Sequence, residues 1–366
     1  MKFRCFAAAL SAAILLTACG GSAELTKHVK PLEITPIDGT QGFCDAQMQF
    51  TASLLQKAAE KSDGNLLISP YLAASAWLTA ADESIQNPEL FGGMARAELN
   101  GSFVKWRNSQ TAFQAAQSLW TAPEQRGSFS SDYLRFCLGL SGTQVFAAER
   151  SPEALNQWVT DATGGAFTEI TAAQDGEKAM LSAAAYTLSW DKPYSDNEVS
   201  NVLFYNADGS QKSLPFLCKD ADTAVYLEDD TVRGIRRSCK ETQYAFLILM
   251  PKSGSVSELL QNMTAEQLTD YVRGGYERTI RTGIPKYTAE DTQEIAALLP
   301  DAGCEQIVQC LRTEIGQGTE TASYSLSIGS SEKADTQIMF DHPFAFFVLD
   351  RYYGLPLFVG TVEQLS

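Results

Sequence analysis

Residues 314–333, "EIGQGTETASYSLSIGSSEK", contain a strict alternation of two residue types. Every second position from 319 to 327 is small and hydroxylated, and these positions are Thr319, Thr321, Ser323, Ser325 and Ser327. The intervening residues are Glu320, Ala322, Tyr324, Leu326 and Ile328. Strict alternation predicts a β-strand. One face of this strand would carry only Ser and Thr, and a Gly- and Ser-rich sequence follows it.

Helical periodicity dominates the first half of the chain, and strand patterns dominate the second half. Helices are predicted for "AQMQFTASLLQKAAEK", "YLAASAWLTAA", "SPEALNQWVTDATGG" and "VSELLQNMTAEQLTDYVRGG". Strands are predicted for "MLSAAAYTLSW" and "YAFLILMP", and hairpins for "VLFYNADGSQKSLPFL" and for "FAFFVLD" with "LPLFVGTV". Residues 82–108 show no clear pattern. This arrangement predicts an α+β fold in one large domain.

The N-terminal sequence "MKFRCFAAALSAAILLTACGG" is typical of an export signal. A basic start precedes an apolar stretch of about ten residues, which is too short to span a bilayer. The four residues that end at Cys19, "LTAC", resemble the bacterial lipoprotein signal. In that signal the leader is removed and the cysteine carries the lipids.

This interpretation divides the chain into a signal peptide at residues 1–18, a lipid-anchored tether at 19–42 and a folded domain at 43–366. Cys19 is then the lipid anchor, the protein is extracytoplasmic, and the lipid is its only membrane contact. The alternative is an ordinary leader that is cut at a small residue, with Cys19 incidental. The sequence does not distinguish an inner from an outer membrane.

The charge balance narrows the range of partners. Apolar residues make up 45% of the chain and charged residues 20%, which is a composition typical of globular proteins. The formal net charge is −16. So acidic a chain repels phosphate backbones. Nucleic acids, heparin-like polyanions and polybasic membrane surfaces are therefore excluded as expected partners.

Residues for common catalytic chemistry are sparse. The chain has only two histidines, His28 and His342, so a histidine-ligated metal cluster is not expected. The sequence also lacks the dinucleotide-binding, phosphate-binding and serine-hydrolase motifs. Neither an enzyme nor a cofactor is predicted. Six cysteines remain after Cys5 and Cys19, and both disulfides and buried thiols are compatible with their spacing.

Five segments carry a family resemblance. They are "NLLISP" at 65–70, "LNQWVTDATGGAFTEI" at 155–170, "YTLSWDKPY" at 186–194, "LILMPKSG" at 247–254, and "FDHPFAFFVLD" with "LPLFVGTV" within 340–362. Together and in this order they resemble the serpins, over roughly residues 45–362. The resemblance implies a serpin fold, in which a bundle of helices packs on a large central β-sheet, with smaller sheets and an exposed reactive loop.

The resemblance also implies a position for the reactive bond. In serpins a Gly-Thr-Glu hinge leads into the loop, and the matching residues are Gly318, Thr319, Glu320, Thr321, Ala322 and Ser323. The residue before the cleaved bond lies fourteen positions after the hinge glycine and eight before Phe340, and both counts give Glu332. Cleavage is predicted between Glu332 and Lys333, with the bond after Lys333 as the alternative.

The implied function is suicide-substrate inhibition of a serine or cysteine protease by a monomer. After cleavage, the 318–331 segment would insert as a new strand into the central sheet and trap the protease. Large inward side chains would add strain of about 1–3 kcal/mol each, so the Ser and Thr face suits insertion. Asn65, Ser69 and Trp190 match the family segments where the sheet opens.

Three positions depart from the family pattern. Gly316 replaces a usual glutamate before the hinge, Val308 falls where a histidine helps to hold the sheet closed, and Leu72 replaces a second serine. These differences leave open an alternative function. The chain would then be a non-inhibitory binding or structural module with the serpin fold on the cell surface.

Overall fold

The computed structural model describes residues 23–38, 41–110, 114–170, 176–318, 334 and 336–365. The helices are α1 (Gln41–Lys61), α2 (Pro70–Ala80), α3 (Arg96–Ser109), α4 (Ser131–Leu140), α5 (Pro152–Thr163), α6 (Val256–Gln261) and α7 (Ala265–Arg273). In the described part of the chain, no helix combines the length and apolar character needed to cross a membrane.

The strands complete the α+β fold that the sequence predicts. They are β1 (Leu67–Ile68), β2 (Gln114–Thr121), β3 (Gln144–Ala147), β4 (Lys178–Thr187), β5 (Val199–Tyr205), β6 (Gln211–Glu228), β7 (Val232–Ser238), β8 (Tyr244–Pro251), β9 (Tyr276–Pro285), β10 (Tyr287–Glu294), β11 (Gln306–Ile315), β12 (Gln337–Met339), β13 (Phe344–Asp350) and β14 (Leu355–Val362).

Side-chain caps explain where several helices begin. Ser69 and Ser151 each precede a first-turn proline, and their hydroxyls accept hydrogen bonds from backbone amides at the starts of α2 and α5. The single helix predicted from residue 256 is instead two helices. Thr264 and Gln267 form a capping box that begins α7, so α6 ends before it.

The described residues form two sheets. The larger has the order β1-β14-β13-β8-β7-β6-β9-β12, with β5 also paired to β6. Strands β13 and β14 are buried along their whole length, and β8 is buried except at its last residue. Because these three adjacent strands are buried, nearly all of their positions are apolar, which accounts for three strongly apolar segments of the sequence.

The five-stranded sheet has the order β10-β11-β4-β2-β3. Helix α5 covers one face through a cluster that includes Trp120, Trp158 and Leu181. The other face belongs to the main core, where Met180 and Leu311 lie among side chains of α2 and the larger sheet. Helices therefore shield both faces of this sheet near the pairing of β4 with β11.

The part of the predicted tether that the structure describes, residues 23–38, lies along the folded body. Leu25 N–H donates to Val145 O at 2.8 Å, and Leu32 N–H donates to Arg135 O at 2.8 Å. Helix α1 begins at Gln41, two positions before the predicted domain start at residue 43. The predicted lipid anchor, Cys19, lies outside the described residues.

Candidate functional site

The base of the predicted loop, at residues 316–318, is anchored beside the end of β4. The indole Nε1–H of Trp190 donates to Gly316 O at 2.7 Å. The backbone N–H of Tyr194 donates to Gln317 O at 2.9 Å, and Lys286 Nζ donates to the side-chain oxygen of Gln317 at 3.0 Å. These three hydrogen bonds fix where the chain leaves β11.

Gly318 occupies a backbone conformation that favours glycine. Its φ is +95°, and an added Cβ would lie 3.4 Å from both Trp190 Cδ1 and Pro193 Cβ. The structure thus brings together two predicted site residues, the hinge glycine and Trp190. The other predicted hinge residues and both residues of the reactive bond lie outside the described residues, and they are Thr319, Glu320, Thr321, Ala322, Ser323, Glu332 and Lys333.

A buried cluster that contains an ion pair packs against Trp190. The guanidinium of Arg237 lies 4.7 Å from the ring centroids of both Trp190 and Tyr194, and its Nε is 3.0 Å from an Asp222 carboxylate oxygen. Burial is the largest influence on the Asp222 carboxyl and raises its pKa, while the charge of Arg237 opposes that shift. Sequence reasoning missed this cluster, because its members come from three separate segments.

We expect Asp222→Ala to lower the free energy of unfolding by about 3–5 kcal/mol, because Arg237 would stay buried without its carboxylate. Denaturant unfolding of the uncleaved protein measures this loss. Asp220→Ala is the matched control, since Asp220 is 86% exposed and pairs with the exposed Arg281. That control should lose less than about 1 kcal/mol, and equal losses in the two variants would contradict the structural role of the pair.

The pairing of β4 with β11, here called the seam, begins at the loop base and runs down the five-stranded sheet. The two strands are parallel and stay in register from Glu314 opposite Thr187 to Gln306 opposite Ala179. Because the loop follows β11, a strand that folds back at residues 316–318 would run antiparallel to both neighbours. The seam is therefore the place in this sheet where such a strand could form two ladders of hydrogen bonds.

Glutamine side chains of β11 and β2 bind backbone groups at the start of α2 on the core face of the seam. Gln309 of β11 accepts a hydrogen bond from Ser69 N–H and donates one to Ser69 O, both at 2.9 Å. On the other side, Gln117 of β2 donates to Ser182 of β4 at 2.8 Å and to Leu72 O at 3.0 Å. The start of α2 thus links the strands on the two sides of the seam.

These contacts revise the interpretation of Val308. Its side chain lies in the cluster under α5, on the face opposite α2. Gln309, one position later, faces α2 and pairs in register with Ser182. Gln309, rather than Val308, therefore contacts the start of α2, through a side-chain amide that makes two hydrogen bonds. Leu72 remains within the arrangement because its carbonyl accepts from Gln117.

We expect Gln309→Ala to lower the free energy of unfolding by about 2–4 kcal/mol, since the fully buried Ser69 N–H would lose its partner. Denaturant unfolding measures the change. Gln306→Ala, on the same strand, is the control, because the Oε1 of Gln306 is buried without a hydrogen-bond partner. Its loss should stay below about 1 kcal/mol. A cost for Gln309→Ala no larger than that of the control would contradict a stabilising role of the Gln309–Ser69 hydrogen bonds.

The third residue predicted for the opening region, Asn65, makes different contacts. Its side-chain oxygen accepts from the backbone N–H groups of Glu363 and Gln364 at 2.7 and 2.9 Å. Its amide donates to Gln364 O at 2.7 Å. Asn65 therefore holds the C-terminal segment, whereas Ser69 and Trp190 lie at the middle and the top of the seam.

The six domain cysteines are free thiols in the structure. Burial raises the pKa of four of them to about 12, and these are Cys137, Cys239, Cys304 and Cys310. Of the two interpretations that the sequence left open, the structure shows free thiols, which are buried except at the partly buried Cys218 and Cys304. His342 is exposed, donates to or accepts from Asp341 at 2.8 Å and stacks on Tyr205, so it packs in the turn before β13.

The serpin (serine protease inhibitor) family model matches residues 45–316, which is well over half of the chain. The chain belongs to the serpin family. The predicted fold is therefore confirmed both by the family match and by its structural neighbours. The matched region ends within the loop base, so it includes the seam and the cluster around Trp190.

Similar proteins include serpins of several kinds. An uncharacterised serpin-like protein of Thermococcus kodakarensis is 22% identical, over 68% of this chain and 66% of that one. Plasminogen activator inhibitor 1 of Neovison vison is 24% identical, over 86% of this chain and 91% of that one. The native state of the thermophilic serpin tengpin superposes with a TM-score of 0.82 at 18% identity, covering 94% of this chain and 99% of tengpin. At that identity, the structural likeness concerns the fold alone.

Proposed function

We propose that this serpin is an exported, lipid-anchored suicide-substrate inhibitor of a serine or cysteine protease. The protease cleaves the bond between Glu332 and Lys333, and the 318–331 segment then inserts between β4 and β11. The observation that carries this proposal is the closed seam that begins at the loop base. A sixth strand would lie between β11 and β4 of the five-stranded sheet, and the segment that would form it follows β11 directly in the chain.

The chemistry up to the trap belongs to the protease. For a serine protease, its hydroxyl oxygen bonds to the carbonyl carbon of Glu332, the bond to the Lys333 nitrogen breaks, and that nitrogen leaves as an amine after taking a proton. An acyl-enzyme ester remains. Water would hydrolyse this ester in an ordinary substrate, whereas here strand insertion pulls the acyl-enzyme from the loop end of the sheet and distorts it first.

Hydrogen bonding supplies the driving force. Separating β4 from β11 loses one ladder, and a strand between them gains two. A net ladder of about ten hydrogen bonds, at about 0.5–1.5 kcal/mol each, stabilises the inserted form by about 5–15 kcal/mol. This gain is comparable to the whole stability of an ordinary domain. The gain is large enough to make insertion effectively irreversible.

A denaturing gel tests the proposal. The protein is mixed with a protease that cuts after glutamate and, separately, with a trypsin-like protease that would cut after Lys333. We expect a band at the summed mass of protein and protease with the first enzyme, or with the second if the alternative bond is used. Simple cleavage by both enzymes without such a band would contradict inhibition.

The second candidate is a non-inhibitory binding or structural module on the cell surface. Gly316 in place of the family glutamate favours it, and so do the hydrogen bonds on residues 316–317, which include one from the Gln317 amide to Asp196 Oδ1 at 3.0 Å. These hydrogen bonds must break before the strand can fold back. In this case the cleaved loop would stay outside the sheet. The thermal measurement described in the Discussion separates the two candidates.

A further inference from the structure

The described N-terminal segment, residues 23–38, begins at a defined corner of the five-stranded sheet. Ala147 N–H donates to Ala23 O at 3.0 Å, and Leu25 N–H donates to Val145 O at 2.8 Å. Thr26 Oγ1 also accepts from Val145 N–H at 3.2 Å. The segment thus extends the sheet beyond β3 as a short antiparallel addition, and it is attached from residue 23 onward.

Two glycines show how closely the rest of this segment fits the body. A Cβ on Gly139 would lie 2.2 Å from Leu32 O, and one on Gly101 would lie 2.6 Å from the side chain of Ile37. Ile37 N–H donates to Gly101 O at 3.0 Å. The segment is therefore seated over α4 and α3, and the hydrogen bonds of residues 23–26 to β3 hold its first residues at the sheet corner.

The attachment point lies at the end of the sheet that is far from the loop base. Glu24 pairs with Phe146, Phe146 with Trp120, Trp120 with Ala179, and Ala179 with Gln306, so these residues form one row across the sheet. The loop leaves β11 beyond the row that pairs Glu314 with Thr187. Eight residues separate the two rows along β11, which is about 26 Å at the strand rise of about 3.3 Å per residue.

We propose that the lipid on Cys19 holds the protein with the row at Glu24 next to the membrane and the loop end turned toward the aqueous phase. The inference rests on the lipid anchor in the proposed function. Three residues lie between Cys19 and Ala23, and even a fully extended chain spans at most about 14 Å over these four residue-to-residue steps. That reach is about half of the distance between the two rows, so the sheet cannot stand upright with its loop end on the membrane and the row at Glu24 about 26 Å away from it.

This orientation determines which proteases can reach the loop. A protease dissolved in the surrounding medium can approach the loop end without meeting the bilayer. A protease whose active site lies at the membrane surface would have to reach about 26 Å or more along the sheet. The preferred targets are therefore soluble proteases that come from the aqueous side.

Energy transfer to the membrane tests the orientation. The lipid-modified protein, which begins at Cys19 after removal of the leader, is bound to preformed phosphatidylcholine vesicles that carry an acceptor dye on their headgroups. A donor dye is attached through a non-natural amino acid in place of Glu149, beside the attachment row, or in place of Lys192, beside the loop base; both positions are exposed. We expect higher transfer from position 149 than from position 192.

A longer spacer is the matched control. About thirty Gly and Ser residues inserted after Gly21 add a reach of about 30 Å, and the two transfer efficiencies should then converge. Equal efficiencies with the natural spacer, or higher transfer from position 192, would overturn the proposal. The absence of a lipid on Cys19 by mass spectrometry would overturn it as well. Loss of protease trapping would leave the transfer readings unchanged, so failure of the inhibitory function is recognised separately.

Discussion

Cleavage of the bond between Glu332 and Lys333 is expected to raise the thermal unfolding midpoint by about 7–20 °C. The reason is the net ladder of about ten hydrogen bonds, worth about 5–15 kcal/mol, that forms when the cleaved strand enters the seam. A domain of this size unfolds with an entropy of about 0.7 kcal/mol per kelvin, which converts that free energy into the stated range. Calorimetry before and after limited cleavage by a protease specific for glutamate measures the shift.

The cleaved loop must remain attached to β11 for this effect. Cleavage close to Gly318 instead would leave only a short piece on the β11 side, and the midpoint should then stay near that of the intact protein. An unchanged midpoint after cleavage at residue 332 would favour the non-inhibitory module. That result would be consistent with hydrogen bonds to Gly316 and Gln317 that keep the loop base in place and prevent insertion.

The second large effect concerns the alternating faces of the loop. Thr321→Arg places a charge on the face that must enter the core, and an unpaired buried charge costs several kcal/mol. We expect the share of cleaved molecules that end as covalent complex to fall by more than about tenfold, because about 1.4 kcal/mol corresponds to each factor of ten. Densitometry of denaturing gels measures the ratio of complex to cleaved product.

Ala322→Arg is the matched control, since it adds the same side chain one position later, on the opposite face. Complex formation by this variant should remain close to that of the unmodified protein. If both variants lose trapping equally, the assignment of Thr321, Ser323 and the other small residues to the inward face is wrong.

Local sequence signals predicted part of the fold, whereas α4 and several strands, among them β9, β10 and β11, were not predicted. The serine–proline pairs at the starts of α2 and α5 and the long apolar strands β8, β13 and β14 act through their own residues or near neighbours. Helix α3 was missed, because Ala95 provides no side-chain cap and the helix follows an irregular stretch. The division between α6 and α7 depends on a capping box inside a continuous helical pattern, which periodicity alone does not reveal.

The site was less predictable, because its contacts join distant parts of the chain. Trp190 and Gly318 were found through the family resemblance, but nothing local in the sequence links Arg237 to Asp222 or Gln309 to Ser69. The face of the seam that Val308 occupies also depends on the register of β11, where a shift of one residue moves a side chain to the opposite side. The ordered path of residues 23–38 was missed, because their hydrogen bonds are made mostly with backbone groups of β3, α3 and α4.

A crystal structure of the protein cleaved between Glu332 and Lys333 tests the central claim most directly. The account predicts six strands in the present five-stranded sheet, with residues 319–331 antiparallel to both β4 and β11 and with Thr321 facing the core. Gln309 and Ser182, which now lie opposite each other across the seam, would be separated by the new strand. A cleaved structure in which β4 still pairs directly with β11 would contradict the account.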